Sequence, residues 1–241
     1  MTHPIPASND EAGRRDPMHA FAELALISVD TAPAEQTLRQ VTELAKQTLP
    51  GVEDVSLTLI EHGQPRSPVF TGQLAVDLDE RQYELGFGPC LDAAKTGQTI
   101  VVDDNTDGPY REFARTAGRA GVRHTLSVGM PIAARSIGGL NIYLTADAPL
   151  SRAFLEYAEV FTSYAAVAVN NVSSYARSAA EVAQLRTAME SRALIEQAKG
   201  IFMSRNQCGE DEAFAMLRRL SQNRNVKLHD VARAVVDAVQ K

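Results

Sequence analysis

The sequence predicts an α+β domain, in which a mixed antiparallel sheet has flanking helices, followed by an all-α domain of three helices. In residues 19–172, short apolar runs with alternating polar residues are separated by helical patterns and turn residues. From Ser151 the pattern is continuously helical, with no Gly or Pro before Gly200. The net charge also changes sign along the chain, which favours two domains over one.

Local patterns place the elements of the first domain in order. Residues 1–18 are polar and lack the apolar segment of a signal peptide, so we expect a disordered tail. Helical spacing with a break at 31–33 predicts two helices within residues 21–49. The later expected elements are strands at 53–61 and 68–71, helices at 79–85 and up to Thr96, a strand at 99–103, a helix at 110–119, and strands at 124–132 and 138–145 joined by a turn at Arg135 and Ser136.

Three segments of the first domain are distinctive. Residues 86–99 read GFGPCLDAAKTGQT, and the last two strands contain SVGMPI and GGLNIYL. With the order of elements, these segments resemble a GAF domain over residues 19–172. The resemblance implies a sensor domain that can hold a small-molecule ligand. The chain has no cysteine placed for bilin attachment and no Asn-Lys-x-x-x-Phe-x-x-x-Asp-Glu run typical of cyclic-nucleotide GAF domains, so neither ligand is favoured and the cofactor is unknown.

The last 58 residues carry a net charge opposite to that of the rest of the chain. Residues 184–241 contain 10 Lys/Arg and 7 Asp/Glu, a net charge of +3. Residues 1–183 contain 14 and 23, a net charge of −9. A small cationic module can bind phosphates without making the whole molecule a polycation. This asymmetry indicates RNA as a partner.

Motifs in this module are more specific than its charge. They are SRALIEQAKGIFM at 191–203, Asp211-Glu212-Ala213-Phe214, Leu217-Arg218, Ser221-Gln222 and Leu228-His229-Asp230-Val231-Ala232. Together they resemble the ANTAR family of antiterminator RNA-binding domains, whose most recognisable element is the Ala-Lys-Gly-x-x-Met run; Phe202 stands where Leu is more usual. The resemblance implies a domain at 184–241, after a helical linker at 173–183, that binds paired small hairpins in a nascent transcript and so prevents a terminator from forming.

We expect the cations and polar side chains of the module to contact RNA. The expected RNA-binding residues are Arg192, Lys199, Gly200, Arg218, Ser221, Gln222, Arg224 and Lys227. Basic side chains neutralise phosphates, and the amides of the 221–227 segment suit unpaired base edges. The residues alone leave two alternatives to RNA contact open. In the first, Arg192 and Lys199 form a solvated helix face with Glu196 as their ion-pair partner. In the second, residues 221–227 form a plain solvated turn.

Two glycines interrupt the helical pattern of the module. Gly200 costs a helix interior about 1 kcal/mol relative to Ala, which we attribute first to close helix packing and second to approach of RNA. Gly209 is expected to end that helix as a left-handed cap. Glu210, Asp211 and Glu212 then begin the next helix at the positive end of its dipole.

The two cysteines indicate the redox state of the protein's compartment and raise the question of thiol chemistry. Cys90 and Cys208 are the only cysteines, which argues against a disulfide framework and indicates a reducing cytoplasm. We interpret Cys90 as a buried packing residue. The alternative is a thiol-dependent redox sensor, or a methionine sulfoxide reductase-like GAF enzyme, that uses Cys90. The order of residues indicates no metal ligands and no catalytic residues, so no enzyme activity is expected.

A DNA-binding three-helix regulator is the remaining alternative. A DNA reader needs polar residues along its recognition helix, whereas residues 228–239 are mostly aliphatic, so RNA is favoured.

The long helix before the module has a second apolar face. Val182, Leu185 and Met189 share one side of it, which predicts self-association and a homodimer. We expect the helix to bend or fray near residues 170–178, because so long a run is rarely straight. No segment approaches the roughly 20 apolar residues of a membrane span, so no membrane partner is expected.

Overall fold

A computed structural model describes residues 17–27, 33–61, 63–104, 106–133, 135–145 and 150–239. The chain divides into two compact units, Met1–Tyr175 and Ala176–Lys241. Of the expected tail, residues 1–16 lie outside the described residues, and the last two residues begin the first helix. No helix among the described residues is both long enough and apolar enough to cross a bilayer.

Helices and strands alternate through the first unit, and helices continue through the second. In chain order they are α1 (Pro17–Ala25), α2 (Ala34–Thr48), β1 (Val52–Glu61), β2 (Gln64–Phe70), α3 (Gln73–Leu85), α4 (Pro89–Thr96), β3 (Thr99–Asp103), α5 (Arg111–Arg119), β4 (Val122–Ile132), β5 (Arg135–Thr145), α6 (Arg152–Asn206), α7 (Glu210–Arg224) and α8 (Leu228–Asp237).

The five strands form one sheet in the order β2-β1-β5-β4-β3. Each neighbouring pair is antiparallel. Because successive side chains of a strand point to opposite faces, the sheet separates two sets of residues. One face is apolar and packs against α1, α2 and the first part of α6. Its core includes Val55, Leu57, Leu126, Val128, Leu140, Ile142 and Phe161.

Most predicted elements of the first unit are confirmed, but several limits differ. Strand β2 begins at Gln64, four residues before the expected start at Pro68, because Gln64 and Pro65 already pair with Glu61 and Ile60. Helix α3 begins at Gln73, six residues earlier than expected. The carboxylate of Asp54 on β1 accepts the backbone N–H of Ala75 at 3.3 Å, which stabilises the early start of the helix from a distant strand. The predicted position of the turn between β4 and β5, at Arg135 and Ser136, is also wrong by two residues. Both residues already belong to β5, where Arg135 pairs with Ile132 and Ser136 pairs with Pro131.

The end of α6 differs from the expected glycine cap. The helix ends at Asn206, and Gln207 takes the left-handed conformation with φ 52°. The Gln207 side chain donates to the carbonyl of Ser204 at 2.9 Å, so it satisfies one of the free carbonyls at the helix end. Gly209 has φ −75° and ψ 170° and is the N-cap of α7. Helical structure continues without fraying through residues 170–178, where we expected the helix to bend or fray, and the boundary between the two units falls within this stretch.

Candidate nucleic-acid interface and sensor core

The second unit has an apolar core of its own, formed by α6, α7 and α8. Its buried members are Ala198, Leu217, Val231, Ala232 and Val236. Two surface grooves show how α8 lies along α6. His229, near the start of α8, lines one groove with Glu190. Val236, near its end, lines the other with Gly200, so the two helices run in the same direction.

The described cations of this module are exposed, with one exception. Between residues 184 and 239 as described, no salt bridge is formed by Arg186, Arg192, Arg205, Arg218, Arg219, Arg224, Lys227 or Arg233. Four of the expected RNA-binding residues, Arg192, Arg218, Arg224 and Lys227, are therefore free cations. Their charge is available to phosphates, because no carboxylate within the described residues neutralises it.

Lys199 is the exception, since its side chain is only 8% exposed. The ammonium donates to Glu196 at 2.9 Å and also to Glu210, the first residue of α7. The hydrogen bond to Glu210 and then that to Glu196 raise the pKa of Lys199, and the same contact lowers the pKa of Glu210. The pair with Glu196 fits the ion-pair alternative, but Lys199 is buried and not part of a solvated face. Contact of Lys199 with RNA stays a prediction in which a phosphate competes with two carboxylates.

The turn between α7 and α8 holds the other expected contacts. Arg224 ends α7 and Lys227 immediately precedes α8. The Ser221 hydroxyl donates to the carbonyl of Val226 at 2.6 Å and so closes the turn. Gln222 is exposed, and no hydrogen bond of its side chain to another described residue is formed. The turn leads into the start of α8, so these residues lie at the end of the module nearer to Glu190 than to Gly200.

Gly200 does not pack against another helix, contrary to our first explanation of it. A Cβ placed on this residue would meet nothing within 4 Å in the described structure. The glycine therefore has an energetic cost in the helix without a compensating contact inside the module. Of the two reasons that the sequence offered, only the approach of something from outside remains.

The apolar face of the linker helix is exposed. The side chains of Val182, Leu185 and Met189 are 58%, 65% and 73% accessible. Three large apolar side chains at helical spacing are seldom left in water without a partner. The exposure agrees with a dimer contact, which stays a prediction.

In the sensor, the second face of the sheet is polar although α3 and α4 cover it. Its buried polar residues include Asp54, Ser56, Thr58, Thr125, Ser127 and Asn141. Asn141 on β5 pairs in register with Ser56 on β1 and with Ser127 on β4, so the three form a row across the sheet. Its amide donates to Ser56 Oγ at 3.0 Å and to Thr58 Oγ1 at 2.9 Å.

Asp79 of α3 is the only buried acid in contact with this row among the described residues. Its carboxylate accepts hydrogen bonds from Ser67 and from Tyr143, both at 2.5 Å, and from Asn141 at 3.4 Å. Burial raises the pKa of Asp79, and the hydrogen bonds from Ser56, Ser67, Tyr143 and Asn141 partly oppose the rise. Sequence reasoning missed this cluster, because its members are distant in the chain; Ser56 and Asn141, for example, lie 85 residues apart.

Cys90 lies beside this cluster at the start of α4. It is fully buried, as predicted, and its backbone N–H donates to Gln82 Oε1 at 2.9 Å. Burial and then the nearby charge of Asp79 raise the pKa of the thiol well above its usual value. Because the thiolate is the reactive form, this environment disfavours nucleophilic chemistry. Among the described residues, no group of three or more His, Cys, Asp or Glu side chains is placed to bind a metal.

Comparisons with solved structures find the fold of the first unit in known proteins. The GAF domain of a phosphoenolpyruvate-protein phosphotransferase from Coxiella burnetii is 17% identical, covers 68% of this chain and 96% of its own, and has a TM-score of 0.50. The A. aeolicus nlh2 GAF domain in an inactive state is 14% identical, covers 64% and 95%, and also has a TM-score of 0.50. A type II free methionine-R-sulfoxide reductase from Thermoplasma acidophilum is 16% identical over 58% and 94%, with a TM-score of 0.43. At these identities the likeness shows the fold alone.

Family models match both parts of the chain, whereas no curated protein sequence matched it. A GAF domain model matches residues 31–170, and an ANTAR domain model matches residues 183–236. The first match covers more than half of the chain and coincides with the five-stranded sheet and its helices. The second coincides with the separate three-helix core and its exposed cations. The chain therefore belongs to the GAF domain family and is built as a GAF domain followed by an ANTAR RNA-binding domain.

Proposed function

We propose that this chain is a signal-responsive transcription regulator that binds hairpins in nascent transcripts and prevents termination. The ANTAR domain implies RNA-binding antitermination, and the GAF domain implies a sensor. The observation that carries the proposal is the set of exposed, unpaired cations on a compact unit separate from the acidic sensor. Such a surface attracts phosphates, and the acidic sensor disfavours non-specific binding elsewhere on the chain.

The proposed RNA contacts fall into two classes. Arg192, Arg218, Arg224 and Lys227 bind phosphates, while Ser221 and Gln222 touch loop bases. Replacing a phosphate contact releases fewer counterions on binding, so Arg224→Ala should weaken binding and reduce the salt slope of log affinity by about 0.7 to 0.9. Gln222→Ala should instead reduce discrimination between the correct loop and an altered loop, with little change in the salt slope.

Filter binding by the full chain tests this proposal. The ligands are hairpin RNA recovered by crosslinking in the protein's own cells, the same sequence as DNA, and the hairpin with a scrambled loop. Arg115→Ala is the matched control, since it removes an exposed cation from α5 of the sensor. We expect the hairpin RNA to bind most tightly and the control to bind like wild type. Equal affinity for all three ligands would show that the module is only a generic basic surface without preference for hairpin RNA.

The sensor is proposed to hold a small-molecule ligand and to carry out no reaction. The buried Cys90 thiol with its raised pKa supports a packing role, and Cys90→Ala should leave RNA binding responsive to the signal. The protein is proposed to act as a homodimer through Val182, Leu185 and Met189. We propose that it acts in the cytoplasm, where transcripts are made and where the free Cys90 and Cys208 would stay reduced.

A further inference from the structure

A groove between α6 and the end of α8 is not accounted for by the phosphate contacts. It has a volume of about 490 Å³ and lies entirely in the second unit. One wall is a single face of α6 at helical spacing, formed by Gln197, Gly200, Ile201, Ser204 and Arg205. The other wall is formed by Val236 at the end of α8 and by Val239 in the turn after it.

We propose that this groove receives one unpaired loop base of the bound hairpin, and that Gly200 is glycine because a side chain there would occupy the space of that base. The inference rests on the proposed function and adds a specificity-determining site to it. Gly200, Ile201 and Val236 contact the face of the base, Gln197 and Ser204 bind its polar edge, and Arg205 binds the phosphate that follows.

The chemistry of the groove selects this occupant. An unpaired base has two apolar faces, a hydrogen-bonding edge and an attached phosphate, and RNA-binding proteins read such bases in single-stranded loops. The groove has an apolar floor, one amide, one hydroxyl and one cation, and no carboxylate of residues 150–239 lines it. Arg205 forms no salt bridge with any described residue. The amide of Gln197 and the hydroxyl of Ser204 likewise donate to no other side chain or carbonyl in the part of the chain that is described.

Gly200 supplies the independent observation. A mid-helix glycine is disfavoured relative to alanine, and here a Cβ would meet nothing within 4 Å. The module by itself therefore gains nothing from the glycine. A ligand that lies against the helix backbone at this position would bind more closely to glycine than to any other residue, because even one methyl group would hold the ligand away from the backbone. The Ser221 hydroxyl already donates its proton to Val226, so it can only accept a hydrogen bond from a base.

The test uses the full chain and a pool of hairpin RNAs with a fixed stem and a randomised loop. RNAs bound by wild type, by Gly200→Leu and by Arg219→Leu are sequenced, and their loop preferences are compared. Leucine is a good helix former, so Gly200→Leu fills the groove while retaining the helix. Arg219 is an exposed residue of α7 outside the groove, so Arg219→Leu controls for an added surface leucine.

We expect wild type to select a base at one loop position by about tenfold, and Gly200→Leu to lose that preference while retaining the others. Preferences unchanged in Gly200→Leu would overturn the proposal. So would a change of oligomeric state in light scattering without a change in loop preference, since a second copy of the chain would then fill the groove. A wild-type protein that selects no hairpin would reject the proposed function itself and, with it, this inference.

A second set of variants keeps the test decisive if the leucine disturbs folding. Gln197→Ala and Ser204→Ala remove the polar edge contacts without adding volume. Each should reduce the same single-position preference severalfold and leave the salt slope unchanged. Arg205→Gln should reduce the salt slope by about the same amount as Arg224→Gln, but it alone should also weaken the preference. Retention of the full preference in all three groove variants would contradict the proposal.

Discussion

Lys199, a residue of the ANTAR motif, has a structural role in joining two helices. Its ammonium joins Glu196 of the same helix to Glu210, where α7 begins. Replacing it with alanine leaves both carboxylates without their cation and frees the start of α7 from α6. We therefore expect Lys199→Ala to increase hydrogen exchange in the first turns of α7 severalfold, because local opening follows the loss of tertiary contacts.

The control for this prediction is Arg219→Ala, which removes an unpaired cation from α7. It should leave hydrogen exchange close to wild type. RNA binding separates the two roles of Lys199. A lowered salt slope in Lys199→Ala, with normal exchange in α7, would show that the ammonium leaves its carboxylates for a phosphate.

Asp79 gives a prediction about the dependence of sensor stability on pH. Its pKa is raised in the folded protein, chiefly by burial. Between its unfolded value of about 3.9 and its raised folded value, the folded state binds more protons than the unfolded state, so stability falls as pH rises. Asp79→Asn removes this titration and keeps the shape of the side chain. We expect its midpoint of thermal unfolding to fall less than that of wild type across this window.

The measurement can be confined to the sensor. All six tyrosines lie in the unit Met1–Tyr175, so near-ultraviolet circular dichroism of tyrosine follows its unfolding. Asp77→Asn serves as the control, because Asp77 is an exposed carboxylate on the same helix. Equal pH dependence of wild type and Asp79→Asn would show that the buried carboxyl does not titrate in this range.

At the scale of elements, local pattern predicted what depends on local contacts. Alternating residues predicted β1, β3 and β4, and helical spacing predicted α2, α5 and α6. The limits that failed depend on long-range contacts or unusual turns. Helix α3 begins early because Asp54, 21 residues away, accepts one of its N–H groups. The β4–β5 turn begins at Ala133 with φ 53°, where the sequence has no residue typical of turns.

The same distinction applies to the candidate site. Exposed cations such as Arg192 and Arg224 could be predicted from composition, because charged side chains are seldom buried. The pairing of Lys199 with Glu210 could not, since the contact crosses from one helix to the next. Arg205 was missed for a similar reason. Its role depends on a groove that α8 completes, and a wheel drawn on one helix does not show it.

The linker helix carries the prediction at this scale. Glutamates at positions 182 and 189 would place charges in the exposed apolar face, so Val182→Glu with Met189→Glu should convert a dimer to a folded monomer. Light scattering measures the change in mass. Ala180→Glu with Thr187→Glu has the same spacing on another side of the helix and should stay dimeric. An unchanged oligomer in the first variant would place the contact elsewhere.

For the whole molecule, two domains of opposite charge divide the work. The sensor carries the acidic excess, and the module carries the unpaired cations, so we expect a nascent transcript to be attracted to the module. A target with two hairpins adds a further constraint. One dimer that binds both hairpins gains from effective concentration, because the second binding event becomes intramolecular.

We therefore expect read-through of a terminator to depend on dimerisation more steeply than hairpin binding does. In single-round transcription on a template with both hairpins before the terminator, we expect wild type to raise read-through. The monomeric variant Val182→Glu with Met189→Glu should bind a single hairpin within about twofold of wild type, because its cations are unchanged. Its affinity for the paired hairpins should fall by about 100-fold, the lower end of avidity gains, and read-through should fall with it. Full read-through by the monomer would show that one module on one hairpin is sufficient to prevent termination.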